Sequence, residues 1–155
     1  MSVSLHVYAF SDQQSIRVAV EIKEFMMLEV STPYQKLMNS GQSGAQVTTV
    51  LRMEDNPVHI RAILCVPQDQ MVQLRIQAHG DMTDSRGNTF PISNVGWEAS
   101  GQGFRNGLLA KESPQIMAAW IGPGMFQGTV NYYFLKSPDR YGTYSQTVTY
   151  SLAIP

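Results

Sequence analysis

Met71-Val72-Gln73-Leu74-Arg75-Ile76-Gln77-Ala78 decides the fold class. Val72, Leu74 and Ile76 fall on every second position, with Gln73, Arg75 and Gln77 between them. Successive side chains of a strand point to opposite faces, whereas a helix repeats every 3.6 residues. The segment is therefore a half-buried β-strand with Val72, Leu74 and Ile76 on one face.

The same period runs outward in both directions. Upstream, strands are expected over Val58 to Val66, after an Asp55-Asn56-Pro57 turn, over Ala45 to Met53, and over Phe25 to Val30. Ile16, Val18, Val20 and Ile22 alternate with Arg17, Ala19, Glu21 and Lys23. Val3, Leu5, Val7 and Ala9 alternate with Ser4, His6 and Tyr8. Ser11-Asp12-Gln13-Gln14 joins these two runs, which read as a hairpin or as one strand crossing between sheets. Downstream, strands are expected over Phe90 to Trp97, Gln115 to Ile121, Gly128 to Leu135 and Thr143 to Ile154.

The intervening segments carry turn chemistry. Ser31-Thr32-Pro33 predicts the cap of a short helix through Tyr34-Gln35-Lys36-Leu37-Met38. Residues 39–44 read as a loop, Asp84 to Asn88 as a turn, and Gly101, Gly103 and Gly107 mark an irregular excursion. Gly122-Pro123-Gly124 breaks the chain sharply. Strands recurring every 8–12 residues or so, without long amphipathic helices, predict an all-β chain. The expected architecture is an immunoglobulin-like antiparallel β-sandwich of roughly 8–10 strands, forming one domain over residues 1–155.

Composition narrows the function classes. Only 15% of residues are charged and the net charge is -1. No basic footprint for nucleic acid follows, and no Lys/Arg cluster dense enough for an anionic membrane. No run reaches the ~20 apolar residues of a spanning helix, so no direct membrane insertion is expected. Met1-Ser2-Val3-Ser4 shows neither a basic nor an apolar leader region. Both a cytosolic protein and a secreted one whose signal peptide has been removed stay open. Cys65 is the one cysteine, so no intrachain disulfide forms, and its place in Ala62-Ile63-Leu64-Cys65-Val66 predicts a buried thiol.

The residues that carry chemistry are scattered. His6, His59 and His79 share no ligand spacing with one another or with Cys65. Asp81 and Asp84, in His79 to Asn88, are the candidate calcium ligands, although Asp and Asn are also ordinary turn residues. The glycines of 101–107 open no helix that would cradle phosphate. Nothing in the spacing brings two of Glu54, Asp55, Glu98 and Glu112 together as an acid/base pair. No nucleophile elbow occurs. The expectation is therefore no catalytic residue, no cofactor, no metal ligand beyond that calcium reading, and no enzyme. Trp97, Trp120, Tyr132, Phe134, Tyr144 and Tyr150 are expected to fill the core; a carbohydrate platform would instead need several on one exposed face.

The last segment, Gly142-Thr143-Tyr144-Ser145-Gln146-Thr147-Val148-Thr149-Tyr150-Ser151-Leu152-Ala153-Ile154-Pro155, resembles the closing strand of secreted bacterial sandwiches. It is similar to spore coat protein U-like domains and to the fimbrial subunits of chaperone–usher pili, which finish with a Gly-x-Tyr turn and an alternating Thr/Val/Tyr strand. Gly142 stands where pilins carry a Gly at the head of that strand. The resemblance implies an incomplete sandwich whose gap a neighbour's N-terminal extension fills. Val3, Leu5, Val7 and Ala9 are similar to such a donor, and Tyr144, Val148, Tyr150 and Leu152 would pack in the acceptor sheet or its edge. Main-chain hydrogen bonds would supply affinity, and alternate apolar side chains would fill pockets. The chain departs from the pilin pattern in having Ile154, not Tyr, at the penultimate position, and no partner for Cys65.

The expectation is a non-enzymatic, secreted bacterial structural or adhesive subunit, periplasmic or at the cell surface. Its partner would be itself or another β-sandwich subunit, joined by strand exchange or sheet-edge pairing. The alternative is a carbohydrate- or cell-surface-binding module with a glycan as partner, using exposed aromatics near 101–107 or calcium at Asp81 and Asp84. A viral or phage jelly-roll subunit shares the strand pattern. A plainer reading has both terminal strands completing their own sandwich.

Overall fold

The structure, a computed structural model, describes residues 2–8, 15–21 and 23–155. Its strands in chain order are β1 (Ser2–Tyr8), β2 (Ser15–Glu21), β3 (Phe25–Ser31), β4 (Lys36–Gly41), β5 (Ala45–Arg52), β6 (Val58–Cys65), β7 (Met71–Ala78), β8 (Met82–Thr83), β9 (Thr89–Phe90), β10 (Val95–Ser100), β11 (Gly107–Leu108), β12 (Gln115–Ile121), β13 (Gly124–Phe134) and β14 (Ser145–Ala153). Single 3-10 turns, Met53–Asp55 and Ile92–Asn94, lie between β5 and β6 and between β9 and β10. The chain is an all-β antiparallel sandwich, as the alternation predicts. Its strand number exceeds the expected range because β8, β9 and β11 are two-residue pairings too short to leave a period in the sequence, and because β4 falls where a helix and a loop are expected.

One sheet runs β11-β10-β13-β6-β3-β4. In the other, β12, β7 and β14 are neighbours, β5 pairs the far side of β14, and β8–β9 join at Ser145. Val72, Leu74, Ile76 and Ala78 of β7 are fully buried, facing Leu28, Ile60, Ala62 and their neighbours from the opposite sheet in a shared core. Across the interior the hydroxyls of Tyr132 on β13 and Tyr150 on β14 meet at 2.6 Å, tying the sheets together with each satisfying the other. At the corner from β5 to β6, the Asn56 amide clips onto β13: it donates to the Tyr132 carbonyl and accepts from the Tyr132 N–H.

The two sides of the sandwich differ. On one, the Gly-rich excursion crosses between sheets. Ala119 N–H donates to the Gly103 carbonyl and Arg105 N–H to the Met117 carbonyl, while β11 pairs β10. Gly103 adopts φ +81°, a conformation that disfavours a side chain. A side chain at Gly128 would overlap the Phe104 ring, which lies edge-on to Trp120 at 5.5 Å. The glycines thus serve packing, and this side is sealed. On the other side β4 and β5 end their sheets, each paired along one edge only.

Four expectations are corrected. Residues 39–41, read as loop, belong to β4, and the strand expected over Phe90 to Trp97 is interrupted by the Ile92–Asn94 turn, whose geometry Pro91 opens. Tyr34 to Met38 is not a helix; Lys36–Gly41 is a strand paired with β3. The capping chemistry at Thr32 exists, since its hydroxyl accepts from the N–H groups of Tyr34 and Gln35. However, Thr32 N–H also donates to the Gln35 carbonyl, which closes a hairpin turn. Nor is Cys65 core. Within 62–66 the period of two still holds: Ala62, Leu64 and Val66 are buried, while Ile63 and Cys65 face outward and are half-buried.

Candidate functional site

The N-terminal strands form neither layer of the sandwich. β1 and β2 make a two-stranded sheet of their own, with Ser2 opposite Glu21 and Tyr8 opposite Ser15. Of the two readings of these runs, the hairpin is the one that forms; the Ser11–Gln14 connection and Ala9 lie outside the described residues. The register sets Val3 opposite Val20, Leu5 opposite Val18 and Val7 opposite Ile16. Ile16, Val18 and Val20 alternate along β2 and so share one face of the hairpin. Every residue of β2 is exposed, including Ile16 at 56%, Val18 at 43% and Val20 at 52%. An apolar face of this kind gains nothing from solvent, and a lone hairpin is marginally stable in water. Among the described residues no other strand pairs with β1 or β2.

The C-terminal strand is placed differently. β14 pairs β5 from Ser145 to Leu152 and β7 from Val148 to Ala153, so both its edges are occupied within the chain. Tyr144, Val148, Tyr150 and Leu152 are all buried in the core. The Tyr144 hydroxyl donates to the Arg140 carbonyl, and a side chain at Gly142 would come within 2.7 Å of the Asp84 carboxylate. A glycine at that point thus lets the incoming loop lie against the 84–88 turn. A free edge is offered instead by β5. Along Gln46 to Leu51 it carries neither Lys nor Pro, the residues that discourage edge pairing. Two clefts follow it and share Thr48: one of about 480 Å³ beside Asn39, Gly44 and Gln46, one of about 330 Å³ beside Tyr34, Val50 and Asp55. Alternation alone does not distinguish an edge strand from an inner one, and the inner strand β14 lacks Lys and Pro as well, so β5's position left no signal in the sequence.

All four carboxylate oxygens of Asp81 and Asp84 are occupied. Asp81 accepts from Ile92 N–H at 3.0 Å and from the Lys111 ammonium at 3.3 Å. Asp84 accepts from the backbone N–H groups of Arg86 and Asn88 and from the Asn88 amide. These donors hold both carboxyls below their ordinary pKa: for Asp81 the Ile92 N–H dominates, for Asp84 the Asn88 amide. Among the described residues no group of three or more His, Cys, Asp or Glu is arranged to hold a metal ion. His79 Nε2 lies 2.7 Å from the Thr149 hydroxyl, which in turn lies 2.9 Å from that of Thr48. His59 lies on the exposed face of β6, and the side chain of His6 falls outside the described residues. Trp97, Trp120, Tyr132, Tyr144 and Tyr150 are buried, and Phe134 packs against them, so they form no exposed platform. Glu54, Glu98 and Glu112 are exposed on separate elements, while Asp55 is buried.

Glu29 of β3 takes the Arg61 guanidinium of β6 at 2.8 Å and the Lys36 ammonium of β4 at 3.4 Å. This triad staples three adjacent strands across their outer face. No family model, curated protein or solved structure matches the chain.

Proposed function

We propose that this chain is a non-enzymatic structural subunit that self-associates through its N-terminal hairpin, with the free edge of β5 on another copy as the receiving surface. The observation that carries the reading is the arm itself: Ile16, Val18 and Val20 exposed on a two-stranded sheet that adds to neither layer of the sandwich. Lengths support the pairing, since β1 and β2 have seven residues each and β5 has eight. The donor is then a hairpin whose outer strand augments a sheet edge, while β14 completes its own sheet. The low charge and the resemblance of residues 142–155 to coat and fimbrial subunits support placing it outside the bacterial cell, in the periplasm or on the surface.

Removing residues 2–22 and comparing masses by analytical ultracentrifugation tests this. The full chain is expected to sediment as multimers at micromolar concentration and the truncated chain as a folded monomer. A full chain that stays monomeric, or multimers that survive the truncation, would overturn the proposal.

A further inference from the structure

At one end of the sandwich the loop from Lys136 to Tyr144 and the 84–91 segment line a half-open pocket of about 500 Å³. That volume falls within the range of about 300–1,000 Å³ for small-molecule sites. Phe90, Pro91, Pro138 and Tyr144 supply its apolar lining. Arg140 is fixed at its rim from two directions. Its backbone carbonyl accepts from the Tyr144 hydroxyl at 3.1 Å. Its guanidinium donates to Asn88 Oδ1 at 3.2 Å, and the Asn88 amide is in turn held by the Asp84 carboxylate at 2.8 Å. The chain Asp84–Asn88–Arg140 thus orients a guanidinium before any ligand arrives.

That guanidinium has capacity to spare. The ion pairs among the described residues engage Glu29 and Asp81, and neither Arg140 nor Lys136 takes part in one. With Asp139 also lining the pocket, one positive charge is left in excess. A planar guanidinium with free N–H groups matches a carboxylate in two-pronged fashion. Beside the apolar lining stand amide and hydroxyl groups, from Asn88, Thr89, Asn94 and Ser137. That pattern matches a pyranose, whose hydroxyl rim surrounds C–H faces. Tyr141, next to Arg140 in the chain, is wholly exposed and free to stack on a neighbouring sugar.

We propose that the pocket between the 84–91 segment and the 136–144 loop binds an acidic saccharide, Arg140 and Lys136 taking the carboxylate of a uronic-acid unit. The site is built from residues far from the arm, so it stands or falls independently of the self-association reading. Calorimetric titration of the full chain with a galacturonic acid trimer, a neutral galactose trimer and an acidic tripeptide tests it. The uronic trimer should bind at least about tenfold more tightly than either of the others. Loss of one charge-assisted contact in Arg140→Gln should weaken it by about tenfold or more, with Lys136→Gln weakening it in the same direction. Absence of uronic trimer binding, equal binding of the neutral trimer or the peptide, or affinity indifferent to both substitutions would overturn it.

Discussion

Asp55 is an acid held where water barely reaches, at 7% exposure in the 3-10 turn between β5 and β6. Burial pushes its carboxyl above the ordinary value of 3.8; the Arg52 guanidinium pulls it part of the way back and Glu54 adds to the rise. A folded-state pKa above the unfolded one means that the folded chain holds this proton more tightly. Below 3.8 the carboxyl is protonated in both states. As pH rises from 3.8 through the folded pKa, the chain must ionise a buried group, and stability falls. Asp81 and Asp84 have the opposite sign, contributing stability at neutral pH that is lost on acidification. Comparing Asp55→Asn with the parent at each pH cancels them. The substitution should therefore raise the melting temperature relative to the parent by more at pH 7 than at pH 4. An equal difference at the two pH values in thermal unfolding would contradict the argument.

Among the elements, β2 exposes a face and β5 an edge that a strand ordinarily covers. Burying a valine contributes about 1.5–3 kcal/mol, so Val18→Asp should weaken self-association by at least about tenfold. Because Val18 lies outside the core, folding should be untouched. Sedimentation equilibrium with a parallel melting curve checks both halves; unchanged affinity would remove the arm's apolar face from the contact. How far such elements were legible in sequence depends on range. Alternation at 71–78 was a local signal and gave strand, face and burial together. At Thr32 the local signal was ambiguous, because one hydroxyl can serve a helix cap or a hairpin turn. What decides is the pairing of Lys36–Gly41 with β3, which no short window contains. Cys65 was misplaced for the opposite reason, a continuous apolar run having hidden the period of two within it. Sheet order, the edge position of β5 and the Asp84–Asn88–Arg140 chain join residues from about fifty to more than a hundred positions apart, and each came only from the fold.

For the whole molecule the geometry of association follows from which surfaces meet. An arm docking on a β5 edge joins two different patches, so the contact is heterologous and propagates into rings or filaments unless two copies exchange arms reciprocally. Either way stability is linked to concentration, because the assembled state is folded and dilution removes it. The sandwich, by contrast, draws its described core residues from Met26 to Leu152 and none from the arm. Two contributions to the melting temperature are therefore separable. With one interface per subunit, each tenfold rise in concentration adds about 1.4 kcal/mol, or roughly 3–6 °C for a chain of this size. The full chain should show that slope, and the chain lacking residues 2–22 should melt at the full chain's dilute limit with no slope at all. A flat line for the full chain would mean that the arm holds no partner. A truncated chain that melts lower at every concentration would mean that the arm belongs to the fold, and the hairpin's apolar face would then need an explanation from within a single molecule.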